Sequence, residues 1–138
     1  MKLVLDTNVW LDWLVFDDRR LAPLARGIET GGVVILATDR MLDEFAEVVA
    51  RPQFGLDAAR CDTLRARQRQ VIVACAPAPD SRLPCTDRDD QMFIDLAVAH
   101  RVDWLVSRDK ALLRLRRIGA RRFGLRIGTP EEWSRAGD

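Results

Sequence analysis

The hydrophobic pattern opens with Leu3-Val4-Leu5, an apolar run that stops at Asp6-Thr7-Asn8. A short run without polar alternation predicts a strand covered on both faces, as in a parallel sheet. Val33 to Ala37 predicts a second such strand, Trp104-Leu105-Val106-Ser107 a third, and Arg122 to Ile127 a fourth. Between them the pattern changes to a helical period. Val9 to Val15 predicts a short apolar helix, and Arg19 to Thr30 a second, closed by Gly31-Gly32. Thr38 suits the N-cap of a helix that runs to Arg51 and is stopped by Pro52. Leu56 to about Val73 predicts a polar, arginine-rich helix, followed by the connector Ala76-Pro77-Ala78-Pro79. Asp87 opens a helix to Arg101, and Lys110 to Ile118 forms another. Thr129-Pro130-Glu131-Glu132 is a capping box with proline at the first helical position, so a final helix follows. Strands alternating with helices predict an α/β fold, a three-layer α/β/α sandwich with a parallel sheet of four to five strands. All of residues 1–138 fall in a single domain.

Ligands of open α/β sheets bind outside the carboxyl ends of the strands, where Asp6 stands. Capping of the next helix by Asp6 or Asn8 is the simpler alternative. Three further acids point to the same rim. In the helix from Thr38, Met41, Phe45, Val48 and Val49 form the inward stripe, and Glu44 lies at its edge. In the helix from Asp87, Phe93, Ile94 and Ala97 face inward. Asp90 begins that face, whereas Asp87 and Asp89 suit caps. Asp109 follows the third strand as Asp6 follows the first, again with an N-cap as the alternative. A partner arginine is the alternative for Glu44.

Asp6, Glu44, Asp90 and Asp109 thus all fit one rim of one sheet. Carboxylates that close repel and raise one another's pKa, a penalty that a bound divalent cation removes. Oxygen ligands without imidazole or thiolate select Mg²⁺ or Mn²⁺. Such ions activate water and stabilise the leaving oxygen in phosphodiester hydrolysis. Asn8 and Ser107 are placed to hold the water or a ligating carboxylate.

Charge sharpens this picture. The total of +1 conceals a gradient from −4 over residues 1–50 to +5 over residues 101–138. An acidic front suits a cation and an arginine-rich back suits a polyanion. His100 is the only histidine, which excludes sites needing two imidazoles. Cys61, Cys75 and Cys85 form no CxxC pair, which argues against a disulfide framework or structural zinc. With no long apolar stretch and no cationic leader, the expectation is a cytosolic protein.

Four segments together resemble the PIN domain, the small metal-dependent ribonuclease fold. They are LVLDTN at 3–8, LDEF around Glu44, DRDDQMFIDLA at 87–97 and WLVSRDKALL at 104–113. The resemblance implies that Asp6, Glu44, Asp90 and Asp109 are the acidic quartet. Asp89 is the competing metal ligand within its doublet, and Asp90 is favoured by its inward phase. Ser107 stands where threonine is usual, and Asn8 takes the polar position after the first acid. Many members of this size are toxins of toxin–antitoxin pairs (the VapC-like type), so the resemblance implies an RNA substrate, a cognate antitoxin and a homodimer. Arg108, Lys110 and Arg114, continued by Arg116, Arg117, Arg121 and Arg122, are the expected phosphate-contacting rim. Single-stranded or looped RNA fits best, because the backbone must thread into a carboxylate pocket. Trp10 and Trp13 are expected in the core in preference to base stacking or a dimer contact, and His100 is expected to be structural.

Two alternatives stand beside the ribonuclease. One is a PIN-like module that binds RNA or protein without cleaving. The other is a receiver-like domain, which also clusters acids with Ser/Thr and Lys at strand ends. It needs a phosphoacceptor aspartate ending a central strand, whereas the second strand here ends in Thr38 and Asp39.

Overall fold

The computed structural model describes residues 1–136. Strands β1 (Lys2–Leu5), β2 (Val34–Thr38), β3 (Ile72–Cys75), β4 (Trp104–Val106) and β5 (Arg126–Gly128) form one parallel sheet in the order β3-β2-β1-β4-β5. The helices are α1 (Thr7–Leu14), α2 (Ala22–Glu29), α3 (Asp39–Val49), α4 (Ala58–Val71), α5 (Gln91–Ala99), α6 (Lys110–Leu113), α7 (Arg116–Phe123) and α8 (Pro130–Ala136).

The alternation of strand side chains gives the sheet two cores. Leu3, Leu5, Ile35, Trp104 and Val106 pack with Val9, Trp10, Leu14, Leu24, Phe45, Val49 and Leu64. Val4, Leu36 and Leu105 face the other way, onto Phe93, Ile94, Leu96, Ala97 and Leu112. Helices therefore cover both faces, as expected. The chain leaves β1 toward β2 but leaves β4 toward β5, so strand order reverses between these two central neighbours. Such a switch point opens a crevice at the carboxyl rim. Asp6 follows β1, and Ser107 and Asp109 follow β4, so the crevice is lined by acids.

β3 falls where the sequence predicts the end of a helix. Asp57 caps α4 through the Arg60 N–H, and the helix stops at Val71. The β-branched run Val71-Ile72-Val73 signals the strand. As an edge strand it is only half covered, Val73 being 51% exposed, so it lacks the buried-run pattern of β1 or β2. The expected strand at Arg122 begins instead at Arg126. α7 continues to Phe123, and Gly124, at φ 65° in the left-handed region, ends it. The expected helix from Lys110 to Ile118 is broken at Arg114-Leu115 into α6 and α7. Arg19–Leu21 is a 3₁₀ turn before α2, because Asp18 accepts the Arg20 N–H.

Trp10 is 3% exposed and stacks on half-buried Trp13 at 5.6 Å, so both belong to the core. His100 caps the far end of α5, where its carbonyl accepts a hydrogen bond from Lys2 Nζ. It lies at the opposite end of α5 from Asp90.

Candidate active site

Each acid reaches the crevice by a local rule. Asp6 is the N-cap of α1, accepting the Asn8 N–H through Oδ1 at 3.2 Å, yet it is 3% exposed. Its Oδ2 accepts a 2.5 Å hydrogen bond from Ser107 Oγ. Ser107 Oγ in turn accepts the Asp109 N–H at 2.9 Å, and Asp109 caps α6 through the Ala111 N–H. The fully buried Ser107 thus ties the acid after β1 to the acid after β4. Glu44 lies one helical turn past the N-terminus of α3, and its Oε1 accepts a 3.0 Å bond from Thr7 Oγ1. Asp6 and Asp109 both cap their helices and both lie at this crevice, so capping does not exclude a part in the site.

Asp87, Asp90 and Asp109 bring one carboxylate oxygen each within 4.8 Å of one another. Asp87, like Asp89, is expected from the sequence to be a cap. It does cap, accepting the Asp89 N–H at 2.9 Å, but its carboxyl also joins Asp90. The 3₁₀ turn Arg88–Asp90 causes this, by folding Asp90 back over its cap before α5 begins. Three acids within four residues were the available signal. Of the doublet, Asp90 is buried and Asp89 exposed. Asp89 instead borders a cavity of about 370 Å³ shared with Arg40, Asp43, Glu44, Glu47 and Arg51. Asn8 is exposed, and its backbone N–H rather than its side-chain amide meets Asp6.

The electrostatics follow from this crowding. Burial, then the charges of Asp109, Asp6 and Asp87, pushes the Asp90 carboxyl up to about 7. Burial raises Asp6 as well, opposed by the Ser107 hydrogen bond and reinforced by Asp109. Glu44 is raised by burial and by Asp6 and Asp89. Asp109 and Asp6 thus act on Asp90, and Asp6 acts on Glu44. Asp90 Oδ2 is the only buried side-chain oxygen or nitrogen among the described residues without a hydrogen-bond partner. A buried carboxylate oxygen without a donor costs several kcal/mol unless a proton or a cation meets it. With Asp87 and Asp109 each bringing a carboxylate oxygen within 4.8 Å of one of Asp90's, and with no imidazole near, the cluster fits a hard divalent cation.

The arginine expected at the rim is placed differently. Arg108 Nε donates to Asp12 at 3.0 Å, while Nη1 and Nη2 grip Glu131 at 2.8 and 2.7 Å. All three nitrogens are engaged within the fold, fastening α8 to α1. Lys110 and Arg114 are exposed and make no ion pair among the described residues.

A model of the PIN domain matches residues 2–111, and the chain belongs to this family. PIN domains are generally nucleases, and the acidic cluster suits that chemistry. The strand order also differs from the 2-1-3-4-5 arrangement of receiver domains. No curated protein matches the chain. No helix among the described residues is long and apolar enough to cross a membrane.

Proposed function

We propose that this protein is a Mg²⁺- or Mn²⁺-dependent endoribonuclease that hydrolyses single-stranded or looped RNA in the cytoplasm. The observation that carries the reading is the buried, unpartnered Oδ2 of Asp90 within a crowd of acids. Asp6, Asp90 and Asp109, with Asp87 beside them and Glu44 at the flank, would hold the cation. Bound there, it would supply an activated water and charge stabilisation for the departing oxygen.

The chain's own residues set the stage for that chemistry. Ser107 fixes Asp6 and Asp109 relative to each other, and its hydroxyl is spent on that task. Thr7 orients Glu44 toward the crevice. Glu44 also borders the open cavity, and a carboxyl raised above its ordinary value is a better acceptor for the proton of an attacking water. The apolar side chains beneath the rim exclude solvent from Asp6. The role of toxin in a toxin–antitoxin pair, with a cognate antitoxin and a homodimeric state, is proposed on the family resemblance.

The test is cleavage of a panel of labelled RNAs by the purified protein in Mn²⁺, in Mg²⁺ and in EDTA. Cleavage in metal that disappears in EDTA and in the Asp6→Asn protein supports the reading. Cleavage that survives either change rejects it, and tight RNA binding without turnover would favour the non-catalytic module.

A further inference from the structure

A second charged surface lies on α7 and the turn before it. Arg114, Arg117, Arg121 and Arg122, with Ile118, line an open groove of about 500 Å³. None of these arginines meets a carboxylate among the described residues, although the fold pairs Arg20, Arg65, Arg108 and Arg116 with one. Arg122 donates to the Arg82 carbonyl at 3.4 Å and lies 5.0 Å from the centre of the Phe123 ring.

Arg121 and Arg122, in the last turn of α7, suit the helix dipole, but the rest of the arrangement does not serve the helix. Like charges one turn apart, such as Arg117 and Arg121, each cost a few tenths of a kcal/mol. Arg116 and Arg117 also set cations in the first turn, against the helix dipole. Gly119, packed against Ile127 and the Leu125 carbonyl, weakens the helix further. An anion in the groove would remove the repulsion.

The groove starts near the carboxylates. Asp109 caps α6, Arg114 is the C-cap of the same helix, and α7 then returns along the sheet edge toward the start of β5. A chain leaving the acidic crevice on the β4 side would meet these guanidiniums in succession over roughly 10 Å.

We propose that the α7 groove binds the sugar–phosphate backbone of RNA beyond the nucleotides at the carboxylates. This rests on the ribonuclease reading for its choice of polyanion. Planar guanidinium forks match phosphate oxygens. A protein partner fits less well, because such interfaces centre on apolar and aromatic anchors, and here four charges surround a single isoleucine. The groove residues lie beyond residues 2–111, the stretch that matches the PIN domain. RNA length, not only the sequence at the cleaved bond, then sets affinity.

The test measures fluorescence anisotropy of a labelled single-stranded RNA about 16 nucleotides long, enough to occupy the crevice and the groove together. The protein is held in EDTA across a salt series, so that binding is read without cleavage. Arg117→Gln with Arg121→Gln should weaken binding about tenfold and lower the salt slope by about 1.4, near 0.7 for each lost phosphate contact. Arg67→Gln with Arg69→Gln, which removes the same charge from exposed positions on α4, should leave both unchanged. In Mn²⁺ the groove variant should raise KM for the long RNA while sparing kcat. Arg114→Gln with Arg122→Gln gives the same expectation should the first pair fail to fold. Wild-type affinity and slope in a folded groove variant would overturn the proposal. Equal weakening by the α4 control would also overturn it. A chain that binds RNA through this groove yet never cleaves it would keep the groove and retire the nuclease.

Discussion

Ser107 Oγ donates to Asp6 Oδ2 at 2.5 Å across 101 residues of chain, and both side chains are buried. The contact joins the ends of β1 and β4, the two strands between which the sheet reverses its order. It converts a topological crevice into a fixed pair of carboxylates, since the same hydroxyl accepts the Asp109 N–H.

Ser107→Ala removes that junction while leaving all the acids in place. Supports of this kind typically carry 10- to 100-fold in activity or metal affinity, so cleavage should fall by about that factor. Ser107→Thr keeps the hydroxyl and should retain most of the activity, less a packing cost of about 1 kcal/mol for the added methyl. Steady-state cleavage rates and thermal unfolding of both variants check this. Equal loss in the two would show that volume, not the hydroxyl, matters.

Asp90→Asn keeps the shape of the side chain and removes its charge. RNA cleavage should drop to background. The metal-free protein should become more stable near neutral pH by about 1–2 kcal/mol, the linkage being reduced by solvent at the crevice mouth. A few degrees of higher Tm in EDTA, and a loss of the Tm gain on adding Mn²⁺, are the expected readouts.

The pH dependence of the metal-free protein follows from the same acid. The unfolded chain ionises Asp90 near the ordinary carboxylate value, whereas the fold holds it up to about 7. The folded state therefore carries the extra proton between those limits. Its contribution is complete below about pH 4 and is lost as pH rises through about 7. Asp18, lowered to about 2 by Arg20, and Glu131, lowered by Arg108, work in the opposite sense and lose their stabilisation on acidification. Tm in EDTA should thus decline from about pH 5 to pH 7.5, and saturating Mg²⁺ or Mn²⁺ should flatten the decline. A Tm that climbs over this range in EDTA contradicts the crowding of the acids.

Arg108→Gln separates a structural arginine from an RNA contact. Loss of the two-pronged grip on Glu131 and of the bond to Asp12 should cost about 1–2 kcal/mol, more than an isolated surface pair, because the geometry is a half-buried network. Its RNA affinity and salt slope should remain near wild type. A slope lowered by about 0.7 with unchanged stability would restore Arg108 to the phosphate-contacting rim.

What could be read from the sequence tracks how local the cause is. β1, β2 and β4 were legible because burial on both faces leaves an unbroken apolar run, and Thr38 and Asp109 cap within three residues of themselves. Asp90 is buried, as its place at the start of the inward face of α5 predicts, although it sits in the 3₁₀ turn before that helix. β3 was hidden because an edge strand needs no such run. The double duty of Asp87 depends on a 3₁₀ turn that no periodicity announces. The fate of Arg108 was set by carboxylates 96 and 23 residues away, which only the folded chain brings to it.

The most direct test is anomalous scattering from a crystal soaked in Mn²⁺. Manganese should stand against the Asp90 carboxylate, within ligand distance of Asp109 and of Asp6 or Asp87. A well-ordered crystal with RNase activity in Mn²⁺ but no manganese among these four acids would contradict the account.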